Sequence, residues 1–75
     1  MIDVTALEAG NVVEIFEDPM TEQCKEGRAI LVEHLGVEVP CADGQELHYC
    51  VVKFLEDHPT ESVERWIKVR VRKRG

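Results

Sequence analysis

Apolar side chains recur along this chain at the two-residue period of β-strands more often than at the helical period. The clearest case is Asn11–Glu17, NVVEIFE, where Val13 and Ile15 share one face and Val12, Glu14 and Phe16 the other. β-Branched and aromatic residues suit such a pleated surface, so the pattern predicts a strand. Asp18-Pro19 ends it, because proline lacks the ladder's donor and the residue before it avoids helix. Gly27–Leu35, GRAILVEHL, predicts a second strand. A short helix competes for AILVEHL, but glycines at 27 and 36 favour the strand. Leu47–Leu55 predicts a third, with Cys50, Val52 and Phe54 on one face and Leu47, Tyr49, Val51 and Leu55 on the other. Both faces are apolar in the middle, as in a central strand.

The segments between these runs are polar or carry turn residues. Met20–Glu26 reads as a polar loop. Gly36–Glu46 reads as a turn-rich connection in which Val37-Glu38-Val39 adds a short edge pairing, Pro40 stops it, and Asp43-Gly44 makes a tight turn. Near the N-terminus, Thr5-Ala-Leu-Glu8 has the spacing of a capping box. Gly10 follows too soon for a full helix, so one helical turn is expected, plugging the domain with Leu7, Ile2 or Val4.

After a break at Glu56–Thr60 two periods compete. Val63, Trp66, Ile67 and Arg70 follow helical spacing, whereas Ile67, Val69 and Val71 alternate with Lys68, Arg70 and Arg72. The alternation accounts for more residues, so Ser62–Val71 is read as a strand, bent near Arg65–Trp66, with Lys73-Arg74-Gly75 frayed. Leu47–Val71 then forms a long hairpin at the centre of residues 1–75, which read as one mainly β domain with one short N-terminal helical turn.

Composition bounds this picture. A 75-residue chain with 44% hydrophobic residues supports one small core, burying ~60% of its unfolded surface. No apolar run approaches the ~20 residues of a membrane helix. MIDVTALEAG lacks a basic start and a long apolar segment, so no signal peptide and a cytoplasmic location are expected. Cys24, Cys41 and Cys50 make an odd set, which fits reduced thiols better than a disulfide framework.

Charge changes the picture most. The net charge is −6, but residues 1–64 hold all fifteen acids against Lys25, Arg28 and Lys53, for −12. Residues 65–75 hold Arg65, Lys68, Arg70, Arg72, Lys73 and Arg74 and no acid, for +6. An acidic body repels nucleic acid and anionic membranes, leaving only the basic end to attract them.

These residues offer three kinds of chemistry. A metal site could draw on the cysteines with His34, His48 and His58, yet no two cysteines have the spacing of structural zinc sites, and His48-x-Cys50 is the only local pair. No metal and no cofactor are expected. A cysteine nucleophile needs a base in hydrogen-bond reach. Cys24 sits among Glu22 and Glu26, which raise a thiol's pKa, and Glu56-Asp57-His58 reads as a solvated turn, so no catalytic residues are expected. The basic end is the third. Lys68, Arg70 and Arg72 would stand in a row at ~6.6 Å spacing, able to follow phosphates, with Trp66 to stack on a base. The same row serves equally as a solvated edge, as a pairing surface for the chain's own acidic strands, or as a dock for an acidic protein. Trp66 is out of step with Ile67 and Val69; exposed beside Arg65 and Lys68, it would be a binding hot spot.

Gly10-Asn-Val-Val-Glu-Ile resembles the Gly-Asp-x-Val-x-Val opening of small barrels of the Src-homology-three type, such as Tudor and KOW modules. Gly27-Arg-Ala-Ile-Leu-Val is similar to their second strand, Tyr49-Cys-Val-Val-Lys-Phe-Leu-Glu-Asp to a third with its Val-x-Phe-x-Asp, and Val63-Glu-Arg-Trp-Ile to a fourth. The chain also resembles short uncharacterised proteins of bacterial and prophage genomes. The resemblance implies a small barrel or strongly bent antiparallel sheet. A methyl-lysine cage of the Tudor kind needs several free aromatics. The chain has Phe16, Tyr49, Phe54 and Trp66, and the core is expected to take two. The expected function is therefore a non-catalytic binding module. Its partner is another protein or a second copy, met through Arg65, Trp66, Lys68, Arg70 and Arg72, with self-association through the Ser62–Val71 edge. Nucleic-acid binding by Lys68, Arg70 and Arg72 is the alternative, and neither a membrane nor a small-molecule substrate is indicated.

Overall fold

The computed structural model of the chain describes residues 1–56 and 61–71. It is mainly β: β1 (Ile2–Asp3), a 3-10 turn (Val4–Ala6), β2 (Val12–Asp18), β3 (Gln23–Ala42), β4 (Gln45–Phe54) and β5 (Ser62–Arg70). They form one bent sheet in the order β1-β5-β4-β3-β2, antiparallel except for the parallel β1–β5 pairing. Alternation built the core. Val13 and Ile15 of β2, Ala29 and Leu31 of β3, Cys50, Val52 and Phe54 of β4, and Ile67 and Val69 of β5 all face inward and are buried, with Leu7 beneath them. Ile2, Val4, Val63 and Val71 pack around that cluster.

The strand reading of Ser62–Val71 holds, and β4–β5 is the central hairpin. Its register runs unbroken from Gln45↔Arg70 to Lys53↔Ser62, without the shift that a bulge at Arg65–Trp66 would bring. Arg72 and the Lys73–Gly75 end lie outside the described residues, as do Asp57, His58, Pro59 and Thr60.

Two predicted loops are strand. β3 starts at Gln23, inside the expected polar loop, and runs on to Ala42 through the expected connection. Polarity misled in the first case, because residues 23–26 are exposed and carry no apolar alternation. The turn before them is set instead by Asp18, whose carboxylate accepts the Met20 and Thr21 N–H groups and the Thr21 hydroxyl. Those bonds lower the Asp18 pKa, the Thr21 hydroxyl foremost. In the second case the edge pairing expected at Val37–Val39 is present, as Glu38↔His48 and Val39↔Leu47, but Pro40 does not stop it, because β2 pairs with β3 only up to Val12↔Ile30. Beyond Leu31, β3 is an edge strand with β4 as its one ladder neighbour, where a missing N–H leaves no ladder partner unsatisfied. Asp43-Gly44 is the tight turn expected, with Gly44 at φ +75.

The N-terminal plug also differs in detail. Thr5 lies inside the 3-10 turn, preceded by Asp3 with no side-chain cap, so the capping box does not form. Asn11 secures the segment by donating from its side-chain amide to Ala6 O at 2.8 Å and from its backbone N–H to Glu8 O. Gly10, at φ +96, lets the chain reverse between them.

Candidate functional site

The bend brings β2 and its turn round toward β5, where the sheet stays open. Side chains, not ladder bonds, close the seam. Arg65 donates from Nε and Nη2 to both oxygens of Glu26, at 3.0 and 2.7 Å. These bonds raise the Arg65 pKa, against the opposing effect of burial. The guanidinium also lies 5.8 Å from the Phe54 ring centroid. Lys68 donates to Met20 O at 2.8 Å and lies 4.0 Å from Glu22, which also pairs with the Met1 amino group. The turn that carries these acids holds Glu22 and Cys24 at left-handed φ of 56° and 58°, a conformation uncommon outside glycine.

The charge asymmetry therefore has a structural use: the basic strand grips the acidic β2–β3 turn and the start of β3. Of the five residues singled out from the sequence, Arg65 and Lys68 are engaged in this grip and Arg70 is exposed at the end of β5. Trp66 and Lys68 share the outer face, while Arg65 lies on the inner face with Ile67 and Val69. The expected edge at Ser62–Val71 is covered in part: β1 pairs with Val69 and Arg70, and Glu26 and Met20 O engage the Arg65 and Lys68 side chains, while among the described residues Ser62–Lys68 has no ladder partner on that side.

Trp66 is half-buried and packs on Tyr49, its cross-strand partner, at a centroid distance of 4.8 Å. Two adjoining clefts, of about 360 and 220 Å³, share Phe16, Pro19 and Trp66. Glu14 and Glu22 border the first; Glu17, Glu26 and Glu64 border the second, with Tyr49 and Arg65. Desolvation, and after it the Glu64 carboxylate that accepts its hydroxyl, raise the Tyr49 phenol pKa. Only Phe54 among the four aromatics enters the core. The core takes one, not two, because Leu31, Val52, Ile15 and Val69 fill its centre. Phe16 and Tyr49 were thus missed as partners of Trp66. The signal available was parity: all three fall on the face opposite the core residues of their strands.

Cys50 is fully buried and its thiol is pushed up to about 11 by desolvation, which disfavours the thiolate, the form that ligates or attacks. Compared with protein-family models, curated proteins and solved structures, the chain matches none. Among the described residues no helix is long and apolar enough to cross a membrane.

Proposed function

We propose that the protein is a non-catalytic binding module that takes a basic segment of a partner protein into the cleft between Phe16 and Trp66. One observation carries this reading: three aromatic side chains stand half-exposed along one seam, and five acids, Glu14, Glu17, Glu22, Glu26 and Glu64, border it against Arg65, Lys68 and the Met1 amino group. Half-exposed Trp and Tyr are typical binding anchors. Aromatic faces attract cations, and an acidic border favours a segment rich in Lys or Arg.

A dock for an acidic protein is one of the uses expected of the basic strand, but Arg65 and Lys68 are held by Glu26, Glu22 and Met20 O. The same contacts weaken the nucleic-acid reading, since they withdraw Lys68 from the phosphate row. They weaken self-association through β5 as well. The accompanying fold reading, a small barrel of the Src-homology-three type, is supported by the bend of the sheet and opposed by its open seam. Three free cysteines accord with a reducing, cytoplasmic setting.

Selection of peptides from a displayed random library tests the proposal. Binders should be rich in Lys and Arg around one large side chain, and their binding should be lost with Trp66→Ala and with the Glu17→Lys, Glu64→Lys pair. Acid-rich binders, or binders indifferent to Trp66, would overturn it. Light scattering that shows a dimer dispersed by Trp66→Ala would replace the partner with a second copy.

A further inference from the structure

A second cluster sits at the far end of β4, away from the aromatic cleft. In an unbroken antiparallel ladder continuing from His34↔Cys50, Glu38 would oppose Glu46. Instead β3 bulges between His34 and Glu38, and Glu38 opposes His48. Three residues, Leu35, Gly36 and Val37, stand against Tyr49 alone, and Gly36 takes φ +81 there. Bulges of this kind re-aim side chains.

The result is a buried imidazole with a ligand-like shell. His48 is 2% exposed. Its Nδ1 lies 2.8 Å from Nε2 of exposed His34, and its Nε2 lies 3.0 Å from Oε1 of Glu46. One ligand atom each from Glu38, Glu46 and His48 falls within 4.8 Å of the others. The titratable groups facing His48 are His34 and Glu38 from β3 and Glu46 from its own strand, while β5 presents Ile67. Among the described residues neither Glu38 nor Glu46 is paired with a Lys or Arg.

We propose that Glu38, Glu46 and His48 form a binding site for a divalent cation of the zinc class. One imidazole nitrogen and two carboxylates balance a +2 ion and suit zinc, which takes N and O ligands at ~2.0–2.2 Å and leaves a fourth position for water. Tetrahedral ligands then stand ~3.4 Å apart, a closure that rotation of the exposed Glu38 side chain supplies. His34 is a positioning residue. With the ion bound, its Nε2 would accept from His48 Nδ1–H, which leaves the His48 Nε2 lone pair for the ion, the outer-shell arrangement usual for ligating histidines. The ion takes the Nε2 lone pair of an imidazole whose one proton is on Nδ1, so any proton held at Nε2 is released to solvent on binding.

The test is calorimetric titration of chelator-stripped protein with ZnCl2, in wild type and in a Cys24→Ser, Cys41→Ser background. One equivalent should bind in both, and the Co2+ form should show d–d bands without thiolate charge transfer. Glu38→Gln and Glu46→Gln, at positions that remain solvent-accessible, should each weaken binding about 10-fold or more, and His34→Ala about 10-fold, with the circular dichroism spectrum unchanged. No stoichiometric binding, binding lost with the two cysteines, or binding untouched by the glutamate changes would each overturn the proposal.

Discussion

Arg65 lays its guanidinium on both oxygens of Glu26 across 39 residues of chain, and so joins the central hairpin to the start of β3. The pair closes, with Lys68 and Glu22, a seam that no ladder closes. Half-exposed pairs contribute little individually, but fork geometry and a shared network put this one at the upper end. A double-mutant cycle with Arg65→Met and Glu26→Gln, read by urea unfolding, should give a coupling of ~1 kcal/mol. It should shrink in 1 M NaCl, where the screening length is ~3 Å. Zero coupling at low salt would show that the seam is held by something else.

Leu31 and Val32 are neighbours with opposite fates: Leu31 is 1% exposed and Val32 44%. Leu31→Ala should destabilise by ~2–4 kcal/mol through lost burial and the cavity left behind. Val32→Ala should stay within ~0.5 kcal/mol. Equal effects in denaturant unfolding would mean that the sheet's inner face has been assigned wrongly.

Gly27 carries the strain of the β2–β3 bulge. It opposes Ile15, beside the register shift before Phe16, at φ +152, and a Cβ there would meet the Phe54 ring at 3.4 Å. Gly27→Ala should cost about 1–3 kcal/mol in thermal or urea unfolding. A neutral or stabilising result would remove the bulge from the account.

The three thiols should separate by reactivity. Cys24 is exposed, Cys41 intermediate and Cys50 buried. A disulfide reagent near neutral pH should label Cys24 first, Cys41 next, and Cys50 only on unfolding. Cys50 also sets a pH dependence. Its thiol ionises near pH ~8.5 in the unfolded chain but only at about 11 when folded, because of desolvation. Raising the pH through that window stabilises the unfolded chain, so stability falls there, and Cys50→Ala should flatten the fall. A native-state Cys50 that reacts as fast as Cys24 would contradict its burial.

The sequence was most legible where one apolar face is buried. Val13, Ile15, Val52, Ile67 and Val69 alternate cleanly, and the strands that carry them fall close to the expected bounds. It was least legible where burial ends. Gln23–Glu26 is strand by virtue of its neighbours' hydrogen bonds, with no apolar period to read, and at Val37–Val39 the short alternation was legible but its continuation through Pro40 was not. The site was half legible. The oddity of Trp66 was visible in its parity, but the capture of Arg65 and Lys68 by Glu26 and Glu22 depends on the bend of the sheet. The company of His48 was hidden for a similar reason: two residues of bulge replace its sequence neighbour Cys50 with His34 and Glu38 from another strand.

The central claim is that the basic strand serves the fold while the acid-bordered aromatic cleft does the binding. Trp66 is the only tryptophan, so its emission reports on that cleft alone. At low salt, titration with a Lys/Arg-rich peptide bearing one leucine should shift and saturate the emission, and a single-stranded oligonucleotide should leave it unchanged. An emission change driven by the oligonucleotide and absent with the peptide would contradict the account.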